Sequence, residues 1–193
     1  HAAKRHPDAE IVSGGADGSI QRISYAALHD RARGVSGALA ALGIAPGDRV
    51  ATLAWNTQGH VEAWYGIMGM GAVCHTLNPR LTAAQLGSML AQSEARVLLA
   101  SPDLVPLARD ASANLPALAH ILLLDSEAGQ GDAAALNPLI DAAPRDSRWG
   151  DFEETAPSGL CFTSGSTGAP KGVTYTHRGC YLHTMRQLQA DVL

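Results

Sequence analysis

The sequence predicts an α/β protein built on a parallel sheet that is flanked by helices. Several short segments, such as residues 50–55, 96–100 and 120–124, are apolar on both faces. Segments with the apolar spacing of helices separate them. The 193 residues are 46% hydrophobic and 17% charged, a balance typical of a globular domain with a substantial core. Apolar strands that alternate with helices are typical of a parallel sheet covered on both faces.

The first strong helical pattern covers residues 25–42, where apolar residues recur at spacings of three and four. These residues are Tyr25, Leu28, Ala32, Val35, Leu39 and Leu42. Ser24 can cap the helix at its start, and Gly43 can adopt the left-handed conformation at its end. A turn at residues 46–48 then leads to the strand at 50–55.

The chain alternates in the same way up to residue 124. Further predicted helices cover residues 59–70 and 103–113, and further predicted strands cover residues 72–77, 96–100 and 120–124. Asn78 and Pro79 end the strand at 72–77. Another helix begins at Thr82, because Thr82 and Gln85 have the spacing of a capping box.

Residues 126–159 differ from the rest, because they are rich in Ala, Gly, Pro, Asp and Ser and have weak periodicity. We interpret them as an irregular excursion over the surface, without chemistry, that contains one short helix at 137–142. Residues 159–162 are again strand-like, and residues 178–193 predict a final helix. The first residue is His1 and the final helix has no capping residue, so we expect a piece of a longer chain.

Composition and charge argue against several classes of function. The net charge is -4 and no long basic run occurs, so we expect no nucleic-acid partner. The longest apolar run, residues 63–74, is too short to span a bilayer, and no transmembrane segment is expected. Cys74, Cys161 and Cys180 are far apart and lack metal-binding spacing, which favours buried, reduced thiols in a cytoplasmic protein.

Several other residues are interpreted as structural rather than chemical. We expect His75 to be a core histidine with a satisfied ring. We expect His177 to lie at the start of the last helix, with a backbone or nucleotide partner. Trp55, Trp64 and Tyr65 are expected in the core.

Residues 163–172 carry the strongest chemical signal. A strand-like segment runs directly into glycines, hydroxyl-bearing residues and a single lysine, Lys171. The glycines let backbone amides approach a ligand as an anion nest. The hydroxyl groups can donate to phosphate oxygens or face a magnesium ion, and they belong to Thr163, Ser164, Ser166 and Thr167. Since parallel sheets bind ligands at the carboxyl ends of their strands, the segment predicts a polyphosphate site.

The charge around this segment agrees with that prediction. No acidic residue occurs between Thr163 and Arg186, and Arg178 with several histidines adds positive charge. A flexible surface loop is the alternative for such a composition. The position of Lys171, between Pro170 and Gly172, excludes the ordinary P-loop pattern, and no dinucleotide-binding glycine pattern follows a strand.

The segment resembles the signature loop of the adenylate-forming superfamily, which includes acyl-CoA synthetases, adenylation domains of peptide synthetases and luciferases. The matching residues run Thr163-Ser164-Gly165-Ser166-Thr167-Gly168-Ala169-Pro170-Lys171-Gly172. Ser166 stands where many members have Thr and keeps the hydroxyl. Residues 47–56, 69–82 and 175–178 also resemble family segments, so the likeness covers nearly the whole chain and is weakest over 126–157.

The resemblance implies an ATP-dependent acid–thiol ligase of the AMP-forming type. Such enzymes convert a carboxylic acid and ATP into an acyl-adenylate and then transfer the acyl group to coenzyme A, with Mg²⁺. The residues implied to bind ATP are Thr163, Ser164, Gly165, Ser166, Thr167, Gly168, Lys171 and Gly172. Lys171 would act in catalysis by neutralising the phosphates, and Thr163 would contact the metal.

The resemblance also implies that residues 1–193 are the N-terminal part of the large AMP-binding domain and end just after the phosphate loop. The family's later Thr-Glu segment, its ribose-binding aspartate and its C-terminal domain with a catalytic lysine are not found, so we expect this chain alone to be inactive. Residues 54–56, 62–66 and 74–80 resemble medium- and long-chain fatty-acyl-CoA ligases most, and they also resemble the related ligases for methylthio-propionate-type acids. A fatty acid is therefore the expected substrate.

Three alternatives stay open from the sequence. One is a ligase for an aryl acid or for a short thioether acid such as methylthio-propionate. Another is a non-catalytic module that binds a nucleotide or phosphate. The third concerns assembly, since a homo-oligomer fits the sequence as well as a monomer.

Overall fold

The computed structural model describes residues 1–15, 18–163 and 170–189. The helices are α1 (Ala2–Arg5), α2 (Tyr25–Ala41), α3 (Gln58–Gly69), α4 (Ala83–Ser93), α5 (Val105–Ser112), α6 (Leu136–Ala142) and α7 (His177–Gln187), with a 3-10 turn at Pro102–Leu104. The strands are β1 (Glu10–Gly14), β2 (Ile20–Ser24), β3 (Arg49–Leu53), β4 (Val73–Leu77), β5 (Val97–Ala100), β6 (His120–Leu123), β7 (Ala134–Ala135), β8 (Pro157–Thr163) and β9 (Lys171–Thr176).

One sheet organises the fold, with the strand order β7-β6-β5-β3-β4-β8-β9. Its first six strands in this order pair in parallel. The predicted α/β fold with a parallel sheet flanked by helices is therefore confirmed. Strands β1 and β2 form a separate antiparallel hairpin, which the sequence analysis did not identify.

Strand β9 is the exception to the parallel pattern, because it runs antiparallel to β8. Only residues 164–170 connect the end of β8 at Thr163 to the start of β9 at Lys171. A parallel crossover needs about a dozen residues or more, so the chain can only turn back beside β8. The alternation of β-branched and aromatic residues in 173–176 was the available signal for this strand.

Two helical layers cover the sheet. Val50 and Leu99 point to the face that α2, α3 and α6 cover, whereas Ala51 and Leu98 point to the face of α4 and α5. All four side chains are almost completely buried. This arrangement follows from the period of two in a strand, which requires both faces of a central strand to be apolar.

The predicted helix starts are confirmed in detail. The Ser24 hydroxyl accepts a hydrogen bond from the Ala27 amide at the start of α2, and Gly43 has a φ of 79° just past its end. Thr82 and Gln85 form the predicted capping box at the start of α4. These local signals fix where the two helices begin.

The interpretation of residues 126–159 as a surface excursion is wrong. The predicted short helix exists as α6, but its Leu136 and Ile140 are buried in the core beneath the sheet. Trp149 Nε1 donates a hydrogen bond of 2.9 Å to the Ser36 hydroxyl, and the Trp149 ring occupies the space where Gly69 lacks a side chain. Small residues on α2 and α3 create this docking surface, which periodicity within 126–159 cannot reveal.

The expected burial of three aromatic residues is also wrong. Trp55 is 42% exposed, Trp64 44% and Tyr65 47%. Helix α3 instead turns small or aliphatic residues such as Ala63 and Ile67 inward.

Other expectations about burial have mixed outcomes. His75 is fully buried, as predicted, but its ring is not fully satisfied, because its Nε2 atom has no hydrogen-bond partner in the described part of the chain. His177 is the first residue of α7, and its Nε2 atom also lacks a partner there. Of the three free cysteines only Cys74 is buried. Among the described residues, every helix is too short or too polar to span a bilayer.

Candidate functional site

The candidate site lies at the carboxyl edge of the sheet. Strands β3, β4 and β8 run in parallel, so their last residues, Leu53, Leu77 and Thr163, end at the same edge. The loops that leave this edge are where an open parallel sheet presents ligand-binding groups. The predicted phosphate segment begins at that edge.

Thr163 and Lys171 are brought together by the β8–β9 hairpin. They are the last paired residues of the hairpin, and both are exposed. The Thr163 hydroxyl donates to the Lys171 carbonyl oxygen at 3.5 Å, which is long for such a bond and leaves the hydroxyl available to a better acceptor. The remaining predicted residues, Ser164, Gly165, Ser166, Thr167 and Gly168, lie outside the described residues.

The connection between the strands is shorter than the sequence predicted. Lys171 and Gly172 belong to β9 and not to the loop, and Gly172 pairs with Phe162. A Cβ atom on Gly172 would lie 3.1 Å from Leu160 Cδ1 and 3.4 Å from the Phe162 ring. Gly172 therefore leaves room for the side chains of β8, and its contact with a ligand stays a prediction.

A buried polar contact fixes the end of β8. The Phe162 ring packs against the His75 ring with centroids 5.2 Å apart. The Ser93 hydroxyl donates to the Leu90 carbonyl oxygen, so it accepts a hydrogen bond from His75 Nδ1 at 3.0 Å. Burial lowers the pKa of His75 to about 4, which keeps the ring neutral at physiological pH. The residue before Thr163 is thus held by a rigid, uncharged neighbour.

The positive charge at the edge is smaller than the sequence suggested. Arg178 forms an ion pair with Glu154, and burial lowers the pKa of His177. Neither residue supplies a free positive charge at neutral pH. Lys171 is exposed and has no ion pair in the part of the chain that the structure describes. Lys171 is therefore the predicted residue that carries free charge beside Thr163.

Few protein groups at the carboxyl edge could bind a magnesium ion. Among residues 1–15, 18–163 and 170–189, no group of three or more His, Cys, Asp or Glu residues could hold a metal ion. The Thr163 hydroxyl is one oxygen ligand at the edge. Because Mg²⁺ is commonly held by substrate phosphates, waters and one or two protein oxygens, Thr163 fits a metal that arrives with a nucleotide.

The same edge contains an open cleft and a residue that the sequence analysis missed. The cleft, of about 610 Å³, is lined in part by Asn56, Thr57 and Thr76. Asp125, in the loop after β6, accepts hydrogen bonds from the Gly59 amide and the Thr57 hydroxyl. It thereby caps α3 and fixes the wall of the cleft. The available signal was a carboxylate directly after the apolar strand at 120–124.

The model of the AMP-binding enzyme family matches residues 1–192. The chain belongs to this family. The resemblance seen in the sequence is therefore confirmed.

Individual relatives agree with the family. The chain is 38% identical over its whole length to a 3-methylmercaptopropionyl-CoA ligase from Ruegeria lacuscaerulensis, of which it spans 37%. It is 40% identical over 94% of its length to a long-chain-fatty-acid–CoA ligase from Thermus thermophilus, of which it spans 33%. The structure of a Mycobacterium tuberculosis fatty acyl CoA synthetase matches 91% of the chain with a TM-score of 0.76 and 26% identity, and the chain spans 33% of it.

The chain thus spans about a third of the length of these relatives. It contains the sheet edge, the start of the signature loop at Thr163 and the lysine that follows the loop.

Proposed function

We propose that the full-length protein is an AMP-forming, ATP-dependent acyl-CoA ligase whose acid substrate is a fatty acid. The observation that carries the proposal is the pairing of Thr163 with Lys171 at the carboxyl edge of the sheet, in a chain of the AMP-binding family. The pairing brings a hydroxyl group, a lysine and both ends of the glycine-rich segment together at the carboxyl edge of the sheet.

The chain's residues hold the leaving group of the first step. When the carboxylate attacks the α-phosphate of ATP, negative charge builds on pyrophosphate. Residues 163–168, with Lys171 and Gly172, bind the β and γ phosphates and stabilise that charge. Lys171 supplies the compensating positive charge, and the Thr163 hydroxyl would be one ligand of Mg²⁺. When bound with the nucleotide, the metal would supply Lewis-acid neutralisation of the phosphate charge.

The class of acid substrate is proposed from similarity to the relatives, and two classes of acid are candidates. The relatives include a long-chain-fatty-acid ligase at 40% identity and a 3-methylmercaptopropionyl-CoA ligase at 38%. The sequence segments around Trp55, Trp64 and Arg80 resemble fatty-acyl-CoA ligases most, but they also resemble ligases for methylthio-propionate-type acids. A short thioether acid is the second candidate, because the two identities are almost equal. Coenzyme A is the acyl acceptor in both cases.

Carboxylate-dependent exchange of pyrophosphate into ATP by the full-length protein tests the proposal. Acids from propionate to palmitate are compared with benzoate and methylthio-propionate. We expect exchange to peak on a medium- or long-chain fatty acid. A peak on methylthio-propionate or on benzoate would support the ligase activity but would change the proposed class of acid substrate.

A non-catalytic module would give a different result. A folded protein that binds ATP but exchanges pyrophosphate with none of these acids would contradict the ligase and favour the module. The Lys171→Ala protein serves as the reference for site-dependent exchange, and Lys4→Ala, an exposed lysine on α1, controls for the loss of charge.

A further inference from the structure

A half-exposed tryptophan is held in place at the carboxyl edge of the sheet. Trp55 lies two residues beyond the end of β3 and is 42% exposed. Its indole Nε1 donates a hydrogen bond of 2.9 Å to the Asp103 carboxylate, and its backbone amide donates to the Ser101 hydroxyl at 3.2 Å. The N–H is the one polar group of an indole, so the surface that this side chain still offers to a ligand is apolar.

The backbone carbonyl of Trp55 is fixed as well. It accepts hydrogen bonds from the Thr57 amide at 2.9 Å and from His60 Nδ1 at 3.1 Å. Because Nδ1 donates, the neutral His60 ring accepts through Nε2 from the buried Thr52 hydroxyl, at 3.0 Å. Burial lowers the pKa of His60, which favours this neutral ring. The polar groups of Trp55 are thus paired within the protein, and its indole is preorganised.

The position of Trp55 suits a part of a nucleotide other than its phosphates. Strand β4 separates β3 from β8, so the ends of β3 and β8 lie two strand spacings apart, about 10 Å. A nucleotide whose phosphates lie between Thr163 and Lys171 can therefore reach Trp55 with its base. The Asp103 carboxylate beside the indole would repel a phosphate group but not an uncharged base.

The groups around the indole also favour a planar base over an acyl chain. Asn56 is exposed next to Trp55, and Ser101 and Asp103 contact Trp55 directly. An acyl chain would bury little apolar surface against a single ring among polar groups. A nucleobase needs only one aromatic face for stacking and keeps its polar edges available to water.

We infer that Trp55 stacks against the adenine ring of a nucleotide substrate. The inference rests on the proposed function for the nature of the ligand. ATP and coenzyme A both carry adenine, and the shared chemistry is a planar, uncharged base that packs on the indole. Because the indole is already fixed by its hydrogen bonds, little conformational entropy is lost when the base binds.

Isothermal titration of the full-length protein tests this contact. The variants are Trp55→Ala, Trp55→Phe and the control Trp64→Ala, because Trp64 is 44% exposed on α3 and packs edge-on against Tyr65. MgATP is compared with magnesium triphosphate, and coenzyme A with 4′-phosphopantetheine, since neither counterpart carries adenine.

The expected loss is confined to a ligand that carries the base. Trp55→Ala should bind MgATP or coenzyme A about tenfold more weakly than wild type and should bind the adenine-free counterpart as wild type does. Trp55→Phe keeps an aromatic face and should lose less. Trp64→Ala should lose nothing. A loss for MgATP assigns the stacked adenine to ATP, and a loss for coenzyme A assigns it to coenzyme A.

Other patterns of affinity overturn the inference. Unchanged affinity of Trp55→Ala for both nucleotides does so and leaves the proposed function standing. So do equal losses for a nucleotide and its adenine-free counterpart, or an equal loss in Trp64→Ala. A wild-type protein that binds neither nucleotide overturns the proposed function, and the inference with it.

Thermal melting of each variant checks that the edge is intact. If Trp55→Ala melts below wild type, Trp55→Leu replaces it in the same titrations, because leucine keeps apolar volume and removes the aromatic face.

Discussion

The middle and the β8–β9 end of the sheet are built differently. In the middle, Val50, Leu98 and Leu99 are completely buried between two helical layers. At the other end, Val173 is 39% exposed, Tyr175 is 48% exposed, and helix α7 has no buried residue among those described.

This difference means that the residues that stabilise the fold lie apart from the residues that we assign to phosphate binding. Burial of apolar surface is the main source of folding free energy, so the central strands hold the fold together. The residues that we assign to phosphate binding lie where little apolar surface is buried. Substitutions in the two regions should therefore affect different measurements.

The largest expected effect concerns folding stability. Replacing Leu99 with Ala removes a fully buried side chain of β5, and we expect the free energy of unfolding to fall by about 3 kcal/mol. The matched change on the exposed strand, Val173→Ala, should cost less than about 0.5 kcal/mol. Urea unfolding followed by circular dichroism measures both. Equal losses would mean that β9 is as much a part of the core as β5.

The second-largest expected effect is a dependence of folding stability on pH, which the buried His75 causes. Burial lowers the pKa of His75 to about 4 from 6.5, so the unfolded chain binds more protons than the folded one between these values. Stability is fully present above pH 6.5 and is lost as the pH falls towards 4. We expect a loss of about 2 kcal/mol by pH 4.5.

Urea unfolding at a series of pH values measures this loss. His75→Gln should flatten the curve, whereas the exposed His6→Gln should not. A residual slope is expected from His60, whose pKa is also lowered by burial. A wild-type curve that is flat from pH 7 to pH 4.5 would contradict the buried, neutral state of His75.

The smallest expected effect on folding stability comes from removing a helix cap, and the caps of α4 and α7 can be compared. Thr82 caps α4, which packs in the core through Leu86 and Leu90, and Thr176 caps α7. We expect Thr82→Ala to lower the free energy of unfolding by about 1 kcal/mol. Thr176→Ala should leave that value almost unchanged and increase amide exchange only within α7, because local opening there does not disturb the core. Similar global losses from both would show that α7 unfolds together with the sheet.

The sequence predicted the central fold well because its signals there are local. Apolar strands at 50–55 and 96–100, the Ser24 cap and the Thr82 capping box each depend on neighbouring residues. The docking of Trp149 against Gly69 was missed, because it depends on a small residue some 80 positions away. The same holds for Asp125, which caps a helix that lies far from it in sequence.

The candidate site shows the same limit. Composition and order predicted a polyphosphate site over residues 163–172, which stays a prediction. The pairing of Lys171 with Thr163 could not be predicted from the pattern of neighbouring residues alone, because it depends on the antiparallel return of β9.

Binding of MgATP to the full-length protein, compared with its Lys171→Ala variant, tests most directly whether the β8–β9 edge is the phosphate site. We expect Lys171→Ala to bind MgATP about tenfold more weakly than wild type, with an unchanged free energy of unfolding, because an exposed lysine adds charge at the site and little to the core. Lys4→Ala should bind as wild type does. Full MgATP affinity in Lys171→Ala would place the phosphates elsewhere and contradict the assignment of this edge.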